Sequence, residues 1–227
     1  PGSGLERGDP APPGVATGAL SMRTPAQIAA REARRMATVL REVGGEGAPI
    51  GEGWMACDVV GSWARYAAGL GVSEPVDSEL LDALVDFYRS RECCPRIQVT
   101  PYQHPSLLEG LAARCFTPSE LETVLVHSLQ QLPDPVLVPS LVFRLIEPWN
   151  SDDVEAFIQS QMHGFHGSAQ PPLGIIPITK RVAQHARCRL WLLEVDGELA
   201  GSGGLEFFED TAVMIAGCVY PEFRRRG

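Results

Sequence analysis

The chain has 227 residues, of which 44% are hydrophobic and 21% charged, a composition typical of a globular protein with one large domain or two small ones. Its formal net charge of −9 disfavours nucleic-acid binding, which needs clustered Lys and Arg. No signal peptide is visible, no window approaches the roughly 18 consecutive apolar residues of a membrane span, and the cysteines show no zinc-binding spacing. We therefore predict a cytoplasmic protein with reduced thiols, no metal, no nucleic-acid partner and no membrane association.

The first half of the chain is predicted to begin disordered and to continue as a small α/β domain. Residues 1–20 are rich in Gly, Pro and Ala and cannot bury enough apolar surface to become ordered. Thr24 and Pro25 then favour a helix start, and Gly44 a helix end. Glycines divide residues 53–71 into pieces that favour two short strands. The other predicted elements are a helix at DSELLDALVDFYRSR capped by Asp77 or Ser78, a strand at RIQVTPY (96–102), a helix at PSLLEGLAARC, and a strand, with or without a short lead-in, at ELETVLVHSL.

The second half of the chain has a sharper pattern. Residues 131–140 carry three prolines and no helical periodicity, so we predict a linker there, between a domain at 21–130 and another at 141–227. Asp196–Gly197 is a strong hairpin signal. The predicted order is a strand at LVFRLIEP, a helix at NSDDVEAFIQSQMHGF capped by Asn150 or Ser151, a loop, a short helix at ITKRVAQHAR and three strands, the last of which ends at Pro221.

The end of this pattern resembles a known family. Val219, Pro221 and Arg224 match a V-x-P-x-x-R pattern, and residues 224–227 match R-x-x-G. Both patterns are similar to those of the GNAT acyltransferases, the Gcn5-related N-acetyltransferases, in which this turn opens a helix. The DGELAGSGG hairpin also resembles the strand pair of that family, and the resemblance reaches back to the strand at Leu141.

The resemblance implies an α/β fold of the α+β type, with a mixed sheet flanked by helices, and transfer of an acetyl group from acetyl-CoA to an amine by direct attack. The acceptor would be a small-molecule or peptide amine. A glycine turn before a helix binds pyrophosphate through backbone N–H groups, and arginines add charge-assisted hydrogen bonds. By the resemblance, Cys218, Val219 and Tyr220 would supply backbone groups to the pantetheine arm and the thioester. The residues Arg224, Arg225, Arg226 and Gly227 would begin the pyrophosphate loop.

The catalytic acid and base are not assigned by these motifs. Glu194 and Glu206 lie on predicted strands and are candidates for a base or a proton relay, the alternative being ordinary strand carboxylates. His163 and His166 near the helix end are either acceptor-site residues or helix-cap histidines. Cys218 is interpreted as a strand cysteine, because no His partner is visible for a nucleophile.

Residues 76–129 resemble the second half of a GNAT core, but the turn before them carries Glu74 and Asp77 where the family has basic groups. We therefore expect a tandem protein with a degenerate first unit and a second unit truncated after the start of its pyrophosphate loop, so that little activity is expected of the chain as given. The alternatives are a non-catalytic binding or assembly module and an inactive incomplete gene product. A further expectation is self-association through an open sheet edge.

Overall fold

The computed structural model describes residues 23–129, 140–167 and 174–225, and it confirms the predicted fold class, a mixed α/β protein with two sheets flanked by helices. The predicted disorder of residues 1–20 and nearly all of the predicted linker at 131–140 lie outside the described residues. Arg226 and Gly227 do so as well. The proposed domain boundary, the tandem duplication and the truncation stay predictions.

The first half of the chain places three helices around a small sheet. The order β1-β2-β3 is antiparallel throughout, and Gly47 of β1 pairs with Ala56 of β2. The elements are helix α1 (Pro25–Val43), strands β1 (Gly47–Ile50), β2 (Gly53–Ala56) and β3 (Ala67–Ala68), and helices α2 (Ser78–Arg89) and α3 (Pro105–Ala113).

The helices of this half begin where the sequence predicted. The Thr24 hydroxyl caps α1 by accepting from the Gln27 N–H, the Gln27 side-chain oxygen accepts from the Thr24 N–H, and Pro25 occupies the first turn. The Asp77 carboxylate caps α2 by accepting from the Leu80 N–H at 2.8 Å. Each cap depends only on residues within one turn of the helix start, so the sequence alone predicts it.

Two strands predicted in this half are wrong. Within residues 96–102, Ile97 makes a single parallel bridge to Ala67, because β3 is only two residues long and offers no further backbone to pair with. Residues 117–129, which contain ELETVLVHSL, form no strand, and neither of the two described sheets includes them. The sequence also missed β1, which lies just before the predicted pair of strands.

The second half of the chain forms a four-stranded antiparallel sheet in the order β4-β5-β6-β7. Asp196 and Gly197 both have positive φ, of 52° and 84°, as a two-residue turn of type I′ requires, and they join β5 to β6. The elements are strand β4 (Leu141–Leu145), helices α4 (Ser151–His166) and α5 (Ile175–Ala183), strands β5 (Cys188–Val195), β6 (Glu198–Phe208) and β7 (Thr211–Val219), and a 3-10 turn at Pro221–Phe223.

Helix α4 packs on one face of this sheet and builds its core. Phe157, Leu190 and Leu192 are almost completely buried there. Asp153 in the first turn of α4 accepts a hydrogen bond from the Glu147 N–H and pairs with Arg144 of β4. These contacts hold the pKa of the Asp153 carboxyl below its ordinary value, the backbone hydrogen bond being the larger cause. These contacts hold helix α4 on one face of the β4–β7 sheet.

Helix α1 contacts both halves of the chain. Leu40 of α1, Ala56 of β2 and Ile178 of α5 belong to one buried cluster. Buried Arg35 of α1 forms an ion pair with buried Glu206 of β6 and a second one with Glu32. The arginine and its two carboxylates tie the first helix of the chain to the second sheet.

The segment 117–129 is exposed along its whole length, although it carries five large aliphatic side chains. Leu121 is 95% exposed and Leu125 89% exposed, and Val124, Val126 and Leu129 are exposed as well. Exposed aliphatic side chains grouped in this way favour association with other apolar surfaces.

We expect the double substitution Leu121→Lys/Leu125→Lys to reduce self-association at high protein concentration and to leave the melting temperature unchanged, because neither side chain is packed. Light scattering across a concentration series measures the first effect and thermal denaturation the second. The matched control is Thr117→Lys/Ser119→Lys, which adds the same two charges at exposed polar positions of the same segment. A melting temperature lowered by the lysines would show that the segment is packed against the fold in solution.

Candidate functional site

The last strand of the second sheet is interrupted by a β-bulge. Ser202 pairs with Cys218 and Gly204 pairs with Ile215, so that Ala216 and Gly217 on β7 together oppose Gly203 on β6. Ala216 has a φ of 55°, in the left-handed region that favours glycine. Bulges bend a strand and redirect its backbone groups, and they are frequent beside functional sites.

The bulge borders open space. A Cβ atom added to Gly217 would meet no other atom within 4 Å, and one added to Gly203 would lie 3.6 Å from the Gly217 Cα. Gly201 differs, because its Cβ would collide with the backbone at Cys218 and Val219. Gly217 therefore leaves a space into which a ligand could bring its own atoms close to the backbone.

Beyond the bulge, β7 presents backbone groups at its outer edge. The Tyr220 N–H donates to the Ala200 carbonyl at 2.8 Å. Because successive backbone groups of a strand alternate in direction, the groups of Val219 face the other edge, away from β6. β7 is the last strand of the described sheet on this side. Accordingly, the Val219 carbonyl accepts a hydrogen bond from Arg224 Nε at 2.9 Å rather than from a strand.

The basic turn after β7 is anchored to helix α4. Arg224 Nη2 donates to the Gly164 carbonyl at 2.7 Å while its Nε holds Val219. Arg225 follows with a φ of 62°, which turns the chain sharply. The structure thus gives Arg224 two backbone acceptors, and its predicted contact with pyrophosphate, like those of Arg225, Arg226 and Gly227, stays a prediction.

A polar cluster lies beneath the bulge, on the face covered by α4. Gln161 and Ser160 of α4 meet Ser202 of β6 and Cys218 of β7, and the first three are buried. Gln161 also donates to the Ala216 carbonyl at 2.8 Å. The predicted site residue Cys218 therefore directs its thiol into this cluster, and its backbone belongs to the strand.

A histidine and a carboxylate meet where α4 ends beside the turn. His163 Nε2 lies 3.1 Å from Glu222 Oε1, and the His163 ring contacts the Tyr220 ring edge to face, with 4.3 Å between centroids. Burial raises the pKa of Tyr220, so its phenol is protonated at neutral pH. The sequence indicated His163 but gave no sign of its partner, since Glu222 is distant along the chain.

Of the two predicted carboxylates, neither lies at the bulge. Glu194 lies on β5, and its Oε1 is 3.4 Å from Nε of Arg144 on β4. Strand β4 is at the other end of the strand order from β7. Glu206 is buried and forms an ion pair with Arg35. A second arginine, Arg187, places its Nη1 3.2 Å from Glu206 Oε1. The contacts of Glu206 are those of a structural ion pair between α1 and the sheet.

Within the described ranges, no helix is both long and apolar enough to cross a lipid bilayer. Among the same residues, no three His, Cys, Asp or Glu side chains are grouped so that they could hold a metal ion.

Comparison with known proteins relates the fold to one class. No family model matches the sequence, and no curated protein matches it significantly. Among solved structures, the chain is similar to a GCN5-related N-acetyltransferase from Kribbella flavida, with a TM-score of 0.63 and 16% identity over 91% of this chain and 77% of that chain. The chain therefore has a GNAT-type fold.

Proposed function

We propose that the protein is an acyl-CoA-dependent N-acyltransferase that transfers an acetyl group from acetyl-CoA to an amine. The observation that carries the proposal is the bulge at Ala216–Gly217 on an edge strand that leads directly into an arginine-containing turn. An extended substrate arm can pair with the edge of such a strand, and the basic turn offers charge to its phosphates.

The residues at this edge fit an acyl-CoA substrate in three respects. The Val219 N–H faces outward and can donate to a carbonyl of a pantetheine arm, whereas the Val219 carbonyl is held by Arg224. The space at Gly217 admits a thioester. Arg225, together with the predicted contributions of Arg226 and Gly227, would hold the pyrophosphate.

In the reaction, the amine nitrogen attacks the thioester carbonyl carbon, a C–N bond forms, the C–S bond breaks, and coenzyme A leaves as a thiolate. A base or a chain of water molecules must take the amine proton.

The test is an NMR titration of the ¹⁵N-labelled chain with acetyl-CoA, which detects even millimolar binding. We expect shifts in the amide signals of Ala216, Gly217, Val219 and Arg225. Gly217→Ala should weaken binding by about tenfold or more, since the added methyl fills the open space while meeting no protein atom.

Arg225→Glu should weaken binding to a similar extent, whereas the matched charge reversal Arg34→Glu, on the exposed side of α1, should not. Unperturbed signals at these four residues under saturating acetyl-CoA would refute the proposal and favour a non-catalytic binding module.

A further inference from the structure

Gln161 is a buried side chain whose hydrogen bonds converge on the bulge. Its exposed fraction is 6%, and its Nε2 donates to the Ala216 carbonyl at 2.8 Å and to Ser202 Oγ at 2.7 Å. Both protons of the amide nitrogen are thus used, one for the backbone of β7 and one for the side chain of β6.

The remaining groups of the polar cluster have a consistent set of donors and acceptors. Ser202 Oγ accepts from Gln161 and from Ser160 Oγ at 2.8 Å, which leaves its own proton for Cys218 Sγ at 3.2 Å. The Cys218 thiol can then donate to the Ser160 carbonyl at 3.6 Å. Since every proton has an acceptor, the Gln161 amide is held in one orientation.

The bulge depends on this orientation. Ala216 in the left-handed region is strained relative to ordinary strand geometry. The Ala216 carbonyl, moreover, faces the covered side of the sheet, where an acceptor without a donor would be strongly unfavourable. Gln161 supplies that donor, and in the described contacts it is the side chain that reaches this carbonyl.

The direction of one carbonyl fixes the direction of the next N–H. Ala216 C=O and Gly217 N–H belong to the same trans peptide unit, in which the two bonds point in opposite directions. With the carbonyl held toward α4, the Gly217 N–H points away from α4, on the side where Gly217 borders open space.

We propose that Gln161 is a positioning residue: by holding the Ala216 carbonyl it aims the Gly217 N–H at the thioester carbonyl oxygen of a bound acyl-CoA. This inference rests on the proposed function for the identity of the ligand. A preorganised N–H donor of this kind stabilises the negative charge that develops on the carbonyl oxygen during acyl transfer.

The first arm of the test uses the ligand-free protein. Gln161→Met keeps the length of the side chain and removes both donors, and we expect the backbone chemical shifts of Ala216 to leave the left-handed range. The matched control, Ser160→Ala, removes the side-chain bonds of Ser160 to Ser202 and Tyr220 but keeps the bond from Gln161 to Ala216, so its Ala216 shifts should match those of the wild type. Unchanged Ala216 shifts in Gln161→Met would overturn the proposal.

The second arm compares acetyl-CoA with coenzyme A, which lacks the acyl carbonyl. Gln161→Met should weaken acetyl-CoA binding about tenfold, the value of one hydrogen bond of about 1.4 kcal/mol, and leave coenzyme A binding within about twofold of wild type. A merely structural role would weaken both ligands equally, and that result would contradict a positioning role.

The two proposals can fail separately. A wild-type chain that binds neither acetyl-CoA nor coenzyme A would refute the proposed function. It would also refute the hydrogen bond from the Gly217 N–H to a thioester. The ligand-free experiment would still decide whether Gln161 stabilises the bulge. Should Gln161→Met not fold, Gln161→Leu removes the donor with a shorter apolar side chain. Wild-type Ala216 shifts in a folded Gln161→Leu protein would likewise overturn the inference.

Discussion

Replacing Arg35 by Met is expected to lower the free energy of unfolding by about 3 to 5 kcal/mol, because it leaves the buried Glu206 carboxylate without its principal partner. Arg187 Nη1, 3.2 Å away, can compensate only in part, because Arg187 also pairs with Glu42. Urea denaturation at neutral pH measures the loss.

The control for this prediction is Glu120→Gln, which breaks the exposed Arg96–Glu120 pair and should cost less than about 1 kcal/mol. The double variant Arg35→Met/Glu206→Leu removes both charges and should recover much of the stability lost in Arg35→Met alone. If Arg35→Met cost no more than Glu120→Gln, helix α1 would not be held to the second sheet through this pair.

Gly164→Ala is expected to destabilise the protein by about 1 to 3 kcal/mol and, on the proposed function, to weaken acetyl-CoA binding about tenfold, as Gln161→Met should. The new Cβ would lie 2.6 Å from Cys218 Cβ and still closer to its Sγ, so α4 would have to move away from β7. This movement would separate Gln161 from the Ala216 carbonyl. The gain in helix propensity from Gly to Ala, about 1 kcal/mol, opposes the loss without cancelling it.

A second substitution distinguishes this collision from other causes. Gly164→Ala/Cys218→Gly removes both atoms that the new methyl meets, so the double variant should be more stable than Gly164→Ala, whereas Cys218→Gly alone should be less stable than wild type. Thermal denaturation of the four proteins gives the coupling energy. Additive effects would show that the two positions do not meet in solution.

Sequence patterns predicted those parts of the fold whose causes are local. The capping of α1 by Thr24, the capping of α2 by Asp77 and the hairpin at Asp196–Gly197 each depend on a few neighbouring residues. The strand predicted at ELETVLVHSL failed because a strand also needs a partner, and propensity carries no information about one. The strand predicted at 96–102 is likewise limited to one bridge, because its partner strand β3 is only two residues long.

The candidate site was only partly visible in the sequence. The stretch Cys218–Tyr220 was indicated by its position before the basic turn, and the structure places it directly after the bulge. The bulge itself was missed, although glycines within strands, here Gly203 and Gly217, are a known signal of one. Gln161 was missed because a glutamine within an amphipathic helix gives no sign of which carbonyl it will meet.

The ion pair between helix α1 and the second sheet also affects how the chain folds during its synthesis. Arg35 and Glu206 are 171 positions apart, and Ile178, which packs with Leu40, is almost as distant from α1. At about 5 to 20 residues per second, synthesis of the intervening chain takes about 10 to 30 seconds. During that interval helix α1 can pack on β2 and β3, but the part of its buried face that meets α5 and β6 has no partner. We therefore expect the nascent chain to need protection by chaperones before its second sheet emerges.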